Sequence, residues 1–547
     1  MTPETFVAAF VSAFAALMAT GYLLDAAGLS IHPATLGLAF LAAGFTAFTA
    51  FREPSAAPAG STALFATVVA CALGYSLWLA SPSLLPVTNG PDVVHHLLLI
   101  HVIQRTHHLV HDPALGPYLL EMVNYTPGSH LAAVAVSEWL RLDPLRILLP
   151  LTAAFVAVKA GIIYVLALRV VPERPWGSVM ALAAPVLLLV PAAYALGSFF
   201  QFFFYAQVVS ETFAMAMVLA AVSWRRTHAP RHLWLAAACG VGVFLSWPVW
   251  IAPAGAAVLA AIVAGTSSVR SRMSDAAVVV GPVTLVALLH ASTHAAGASI
   301  IGSSGAVTRP SAETLGAVFV ALGVVGAILA WRAAASRPLV VLLAVIVLQG
   351  LALAALDVRA GSRSFYMPFK MVYLAVLPCA VLGALALARG SAAVSSRFPF
   401  VRHAGAAAPL VIAALLVHGR IPVKRQHGPI SESALAAGLW ARGTVPPGCV
   451  DYFSRHWLTG YWLHLDVLGN PRLSDRMRAE TFELRDTVGK WIEGKGLPYA
   501  IVEDLAAIPR DARVDMIPVR EFGAAAFVKN ARPGGAPGSD PESSPCR

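Results

Sequence analysis

Apolar residues fall in long blocks from the N-terminus to about His418, separated by short segments rich in arginine, proline and glycine. The pattern predicts membrane-crossing elements over residues 5–26, 33–51, 62–80, 145–169, 177–197, 205–224, 233–247, 249–265, 276–292, 312–331, 338–356, 370–389 and 405–418, about 13 in all. Lipid offers no hydrogen-bond partners to the backbone, and these blocks are too long for barrel strands, so they are expected to be helices. The first block follows Glu4 with no basic residue before it, which predicts a retained helix rather than a cleaved signal peptide. Trp247-Pro248-Val249-Trp250 breaks the pattern either as a short hairpin or as a kink.

The polar positions set an orientation. With an inside N-terminus, the inside loops carry Arg52; Arg169 and Arg174; Arg225, Arg226 and Arg231; Arg270 and Arg272; Arg332 and Arg337; and Arg389, Arg397 and Arg402. The opposite segments at 198–204 and around Pro248 carry none. This alternation predicts that the loop 81–144 and everything after His418 lie outside. A loop of that length is expected to fold on the membrane surface. Asp92 to His111 reads as an amphipathic helix and Ser129 to Leu140 as a second, too short to span.

Beyond Gly419 the apolar runs shorten and charge rises. "GCVDYF", "LPYAIVED" and "AAFVKN" read as strands, and Ser474 to Glu493 as an amphipathic helix. The fold expected is therefore an α-helical polytopic membrane protein with a small extracytoplasmic α/β domain at its C-terminus. Its parts are a membrane domain over 1–420 including the loop 81–144, the α/β domain over 421–530, and a disordered tail over 531–547. No internal repeat of the inverted-transporter kind is evident.

Composition supports the membrane class: 58% of residues are hydrophobic, 12% are charged, and mean hydropathy is +0.72. The net charge of +10 reflects loop arginines that set topology, so nucleic acid is not an expected partner. Of the five cysteines, Cys71, Cys239 and Cys379 lie in apolar blocks, and no zinc-type spacing occurs. A Cys449–Cys546 bridge is the pairing open outside the spans, and the Gly/Pro/Ser-rich surroundings of Cys546 argue against it.

The segment "NGPDVVHHLLLIHVIQRTHHLVHDP", Asn89 to Pro113, holds six histidines and two aspartates. Asp92 follows a turn and opens a helix, where a carboxylate caps free N–H groups. His95 and His96 follow three and four residues later, on the same face. A carboxylate so placed also suits a general base or a metal ligand. His107 and His111 are four apart, a spacing that serves a divalent metal or simply two interfacial histidines. "NYTPGSHLAAVAVSEWL" places Tyr125 and His130 at a turn before a short helix, as a pocket lining or as a plain helix entry. Arg359, Arg363 and Lys370 stand at the outer mouth of a span, as phosphate ligands or as headgroup anchors. Lys159 and Glu211 fall inside predicted spans, where charges pair or line a cavity.

The early "PD..HH" segment, the "Y.PG.H" turn, the many spans and the outside C-terminal domain together resemble the GT-C superfamily of membrane glycosyltransferases. The resemblance covers the whole architecture, with its sequence-specific part between Asp92 and His130. It implies transfer of a sugar from a polyprenyl-phosphate donor to an extracytoplasmic glycan, lipid or protein acceptor. An acidic residue early in the first large outside loop is the superfamily's usual base or metal ligand, and Asp92 is the matching position. Asp92 lacks the acidic neighbour that many relatives have, and its loop follows the third predicted span rather than the first. His95, His96, Tyr125, His130, Glu211, Arg363 and Lys370 are the expected substrate-binding residues. Should Asp92 only cap its helix, the acid is to be sought at Asp112, Glu121 or Glu211. A divalent metal is left open as cofactor. Two other classes fit the spans: a transporter or flippase for a lipid-linked glycan, which would use Lys159 and Glu211, and a non-catalytic envelope-assembly protein.

Overall fold

The computed structural model describes residues 1–52, 60–88, 90–172, 176–265, 268–293, 304–362, 364–397, 402–470 and 482–532. They divide into two compact units. The first comprises Met1–Leu79, Val102–His111 and Asn124–Arg425; the second comprises Ala80–His101, Asp112–Val123 and Gln426–Arg547.

Helices make the first unit. Several begin where proline sets the backbone and has no N–H to satisfy: Pro3–Ala26, Pro33–Ala50, Pro144–Val170 and Pro230–Ser246. Thr2 caps the first by accepting from the Thr5 amide at 3.2 Å, and Asp143 caps the Pro144 helix by accepting from the Leu145 amide at 3.0 Å. Among the described residues, eight helices are long and apolar enough to cross a membrane: Pro3–Ala26, Pro33–Ala50, Ser61–Ala80, Pro144–Val170, Tyr205–Thr227, Val269–Thr293, Arg337–Arg359 and Tyr366–Arg397. The block at 177–197 is a pair, Gly177–Leu187 and Ala192–Phe200, bent by 76°, which makes nine if counted as one span. The remaining blocks are helices too, but shorter: Pro230–Ser246 has 17 residues, and Pro248–Val263, Ala317–Trp331 and Ala404–Val417 fall in the 10–17 residue range. A 3-10 turn at Pro248–Trp250 separates two of them, so the Trp-Pro-Val-Trp sequence is a true break.

Aromatic side chains fill the centre of this unit. The Phe155 ring lies 4.9 Å from that of Phe14 and 6.3 Å from that of Phe213, tying together three of the spans. Lys159 and Glu211, both buried, form an ion pair with each other between Pro144–Val170 and Tyr205–Thr227.

The helix that opens at Asp92 ends at Thr106, five residues before the expected His111. Thr106 Oγ1 donates back to the Val102 carbonyl at 2.9 Å and accepts from the His108 amide at 3.2 Å. That competing bonding stops the helix, and His107 turns into the left-handed region at φ 54°. His107 and His111 therefore do not share a helix face.

The second unit carries a four-stranded sheet: β1 (Val450–Phe453), β2 (Tyr499–Val502), β3 (Met516–Phe522) and β4 (Ala525–Asn530), in the order β1-β2-β4-β3. β1 and β2 run parallel, and the other neighbours pair antiparallel. Phe453, Val488, Trp491, Val502 and Val528 are among its core residues. Three strands match the sequence reading. The sequence pattern does not predict β3, because Pro518 interrupts it; it lies at the sheet edge, with a register shift between Pro518 and Arg520. The amphipathic helix is Leu484–Ile492; the start expected for it at Ser474 lies outside the described residues. Cys449 is buried and disulfide-bonded; Cys546 and the expected tail from residue 533 onward lie outside the described residues.

Candidate active site

In the second unit the site is built on the helix that begins with Asp92. Val93, Val94, Leu97 and Leu98 are fully buried and fix the helix in place. Asp92 stands in the first turn, half-buried, with His95 and His96 both buried behind it. His95 is held at both ring nitrogens. Nδ1 donates to Glu121 Oε1 at 2.5 Å, and Nε2 accepts from the Tyr461 hydroxyl at 3.1 Å. Glu121 keeps 48% of its side chain exposed, so the buried end of this chain is Tyr461 and the solvent-facing end is a carboxylate. Such an arrangement aims a carboxylate and supports proton transfer at it. Further along the same helix, His101 Nε2 lies 2.9 Å from Asp466 Oδ1, an ion pair when the imidazole is protonated.

The membrane unit holds the other predicted residues. Thr126 Oγ1 donates to the Ser246 carbonyl at 3.1 Å, and Gly128 lies against Leu245, where a Cβ would stand 2.7 Å from the Leu245 Cβ. The "YTPGSH" turn is thereby docked on the end of the Pro230–Ser246 helix. His130 is fully buried, edge-on to Tyr125 at 5.7 Å and to Tyr205 at 6.2 Å. The Tyr205 hydroxyl donates to the Ser129 carbonyl at 2.6 Å. Trp247 stacks obliquely on Tyr125 at 5.7 Å.

Lys370 belongs to the same cluster. It is only 2% exposed, in the first turns of Tyr366–Arg397. Its Nζ lies 2.7 Å from the centre of the Phe204 ring, 5.0 Å from that of Tyr366 and 5.8 Å from that of Trp247. Ring faces stabilise an ammonium that has left water. Trp247 Nε1 and Ser129 Oγ are buried without a hydrogen-bond partner among the described residues, so this cluster offers a cation and polar groups to a ligand.

Tyr125, His130 and Lys370 thus meet in one unit, and Asp92, His95 and His96 share the other. Glu211 is engaged by Lys159 and by Gln207 Nε2 at 3.4 Å. Arg363 lies outside the described residues. Three residues escaped the sequence reading. Tyr461 and Asp466 are far from His95 and His101 along the chain. Asp25, in the last turn of the first span, accepts from the Leu109 amide at 2.8 Å, His111 Nε2 at 2.7 Å and His108 Nδ1 at 3.3 Å. The signal for it was a lone acid at the end of an apolar run. His108 and His111 therefore serve a buried carboxylate. Among the described residues no group of three or more His, Cys, Asp or Glu side chains is set to hold a metal ion.

No family model matches the sequence, and no curated protein is similar to it at a significant level. Solved structures similar to this chain include ArnT from Cupriavidus metallidurans bound to undecaprenyl phosphate, at 14% identity and a TM-score of 0.48, covering 87% of this chain and 99% of that one. The archaeal oligosaccharyltransferase AglB from Archaeoglobus fulgidus, in complex with an inhibitory peptide and a dolichol-phosphate, is similar at 13% identity and a TM-score of 0.47, over 80% of this chain and 69% of that one. Arabinofuranosyltransferase AftD from Mycobacteria is similar at 16% identity and a TM-score of 0.45, over 86% of this chain but 40% of that one.

Proposed function

We propose that the protein is an integral membrane glycosyltransferase that moves a sugar from a polyprenyl-phosphate donor to an extracytoplasmic acceptor. The observation that carries this reading is Lys370, a buried ammonium ringed by Phe204, Tyr366 and Trp247 at the head of a span. A cation fixed there suits the phosphate of a lipid whose tail runs in the membrane. In the reaction, an acceptor oxygen bonds to the anomeric carbon, the bond from that carbon to the phosphate oxygen breaks, and the polyprenyl phosphate leaves. Asp92 takes the acceptor's proton; were a divalent metal used, Asp92 would be its ligand and the metal would make the acceptor hydroxyl more acidic. Glu121, aimed by His95, is the second carboxylate. Arg363 joins Lys370 on the phosphate, and His96, Tyr125 and His130 line the substrate. Glu211 is the residue whose substrate role has least support, because Lys159 engages it. The disulfide at Cys449 supports an oxidising, extracytoplasmic location for the C-terminal domain.

The transporter reading drew on Lys159 and Glu211. Their pairing with each other removes that support. The deciding experiment supplies membranes with radiolabelled polyprenyl-phosphate sugars and compares wild type with Asp92→Asn. The amide can still cap the helix but accepts no proton. Transfer is expected to fall by about a hundred- to ten-thousand-fold with expression unchanged. Near-wild-type transfer by the variant would reduce Asp92 to a cap, and no transfer by wild type would sink the reading.

A further inference from the structure

The second unit contains a buried carboxyl group that the reaction does not use. Asp466 is 2% exposed, among Leu463, Leu465 and Val467, and its partner is His101. It lies on a π turn, Leu463–Val467, which continues the Trp457–Trp462 helix bearing Tyr461. The Leu468 amide closes that turn on the Leu463 carbonyl at 2.8 Å. On an α-helix, residues five apart diverge by about 140°; a turn closed over five residues brings them nearer to one direction. Tyr461 and Asp466 are five apart, and they reach His95 and His101 of one helix. The π turn is itself braced. Gly438 of the Glu432–Arg442 helix packs so closely that a Cβ there would stand 2.7 Å from Val467 Cγ1.

On the Asp92 helix, six residues separate His95 from His101, so their directions differ by about 120°. One pin leaves a helix free to rotate about the contact. Two pins on different faces fix both its rotation and its height. Asp92 is three residues before His95, on the face that the first pin sets.

We propose that Asp466 is a positioning residue: through His101, and together with Tyr461 on His95, it fixes the rotation and height of the helix that carries Asp92. The C-terminal segment 457–467 is then part of the catalytic apparatus without touching the reacting atoms. This rests on the transfer reading of Asp92.

The test uses the full chain in lipid nanodiscs, with Asp466→Asn, Asp466→Glu and His101→Gln. Small misplacement of a reacting group costs about ten- to a hundredfold in rate. Asp466→Asn and His101→Gln are expected to lower kcat at the low end of that range, with donor KM within about twofold, and Asp466→Glu to recover part of the loss. Hydrogen exchange of amides 94–101 should rise in Asp466→Asn, while β1 and β2 keep their protection. Equal changes in kcat and KM, or unaltered exchange of those amides, would overturn the proposal. Should Asp466→Asn fail to fold, Tyr461→Phe removes one hydroxyl from the other pin and is read in the same way, with a smaller loss of kcat. If wild type transfers no sugar, the functional reading falls on its own, and the exchange measurement still decides whether Asp466 holds the helix.

Discussion

The Lys370 ammonium nitrogen lies 2.7 Å from the centre of the Phe204 ring, inside the membrane unit. Charge in that position is costly unless something anionic or aromatic meets it. A phosphate role makes a sharp claim. Lys370→Met keeps the shape and removes the charge, and kcat/KM for the lipid donor should fall by about ten- to a hundredfold, the effect of losing a hydrogen bond to a charged group. Melting temperature should hold or rise, since an apolar residue replaces a buried charge. An unchanged donor KM with lower melting temperature would make Lys370 a structural residue.

Glu121 is tested by the change that keeps its bond to His95. In Glu121→Gln the amide carbonyl still accepts from His95 Nδ1, but the side chain no longer takes a proton. Single-turnover transfer should slow by about tenfold or more, yet less than in Asp92→Asn. A larger loss than in Asp92→Asn would exchange the roles of the two carboxylates.

Gly128→Ala probes the docking of the Tyr125–His130 turn. The added Cβ meets Leu245 Cβ at 2.7 Å and the Leu245 carbonyl oxygen at 2.8 Å. Overpacking of this kind costs about 1–3 kcal/mol, and a thermal melt in detergent should show it. Gly74, also on a helix, has nothing within 4 Å of its Cβ position. Gly74→Ala should therefore be neutral or stabilising by about 0.4–1 kcal/mol.

Asp451 gives the C-terminal domain a pH dependence. Its Oδ2 accepts from Trp491 Nε1 at 2.8 Å and from the Leu497 amide at 2.7 Å, but burial, the larger effect, pushes its carboxyl above the ordinary carboxylate range. A folded-state pKa raised above the unfolded value favours folding while the group is protonated. That contribution is present below the unfolded pKa and is lost as pH rises through the folded one. Asp451→Asn should remove this slope and make the domain more stable than wild type at neutral pH. Urea unfolding of the full chain, read by hydrogen exchange in β1 and β2 across the acidic range, measures the difference. A wild type that gains stability relative to the variant as pH rises would contradict it.

Orientation is checked by single cysteines. Ser431 precedes the Glu432–Arg442 helix, and Ser271 lies between Arg270 and Arg272; both are exposed. In intact cells with outer permeability controlled, an impermeant thiol reagent should label Ser431→Cys and spare Ser271→Cys. The reverse pattern would invert the topology.

What the sequence made legible was local. Asp92, following its turn, announced a helix start, because a cap acts on its own turn. The end at Thr106 was not legible, since it depends on a hydroxyl bonding backwards and on His107 taking a left-handed conformation. β3 was hidden by Pro518, tolerated only because the strand lies at an edge. The site divides in the same way. Asp92, His95 and His96 follow from helical spacing. Tyr461 on His95, Asp466 on His101 and Asp25 under His108 and His111 are tertiary pairings between residues far apart in the chain, and no periodicity encodes them.

The Lys159–Glu211 pair has a consequence for how the chain is made. Lys159 alone at the centre of an inserting helix costs about 2.5–3.5 kcal/mol, and its partner follows 52 residues later. At about 5–20 residues per second, the helix carrying Lys159 is synthesised several seconds before its partner. During that interval the nascent span has no counter-ion from Glu211, so the insertion machinery must retain it or let it enter the bilayer poorly. Biogenesis of this protein should therefore treat Pro144–Val170 and Tyr205–Thr227 as one cargo, released to lipid together, and a Glu211→Gln chain should stall or be degraded at that stage before any question of catalysis arises.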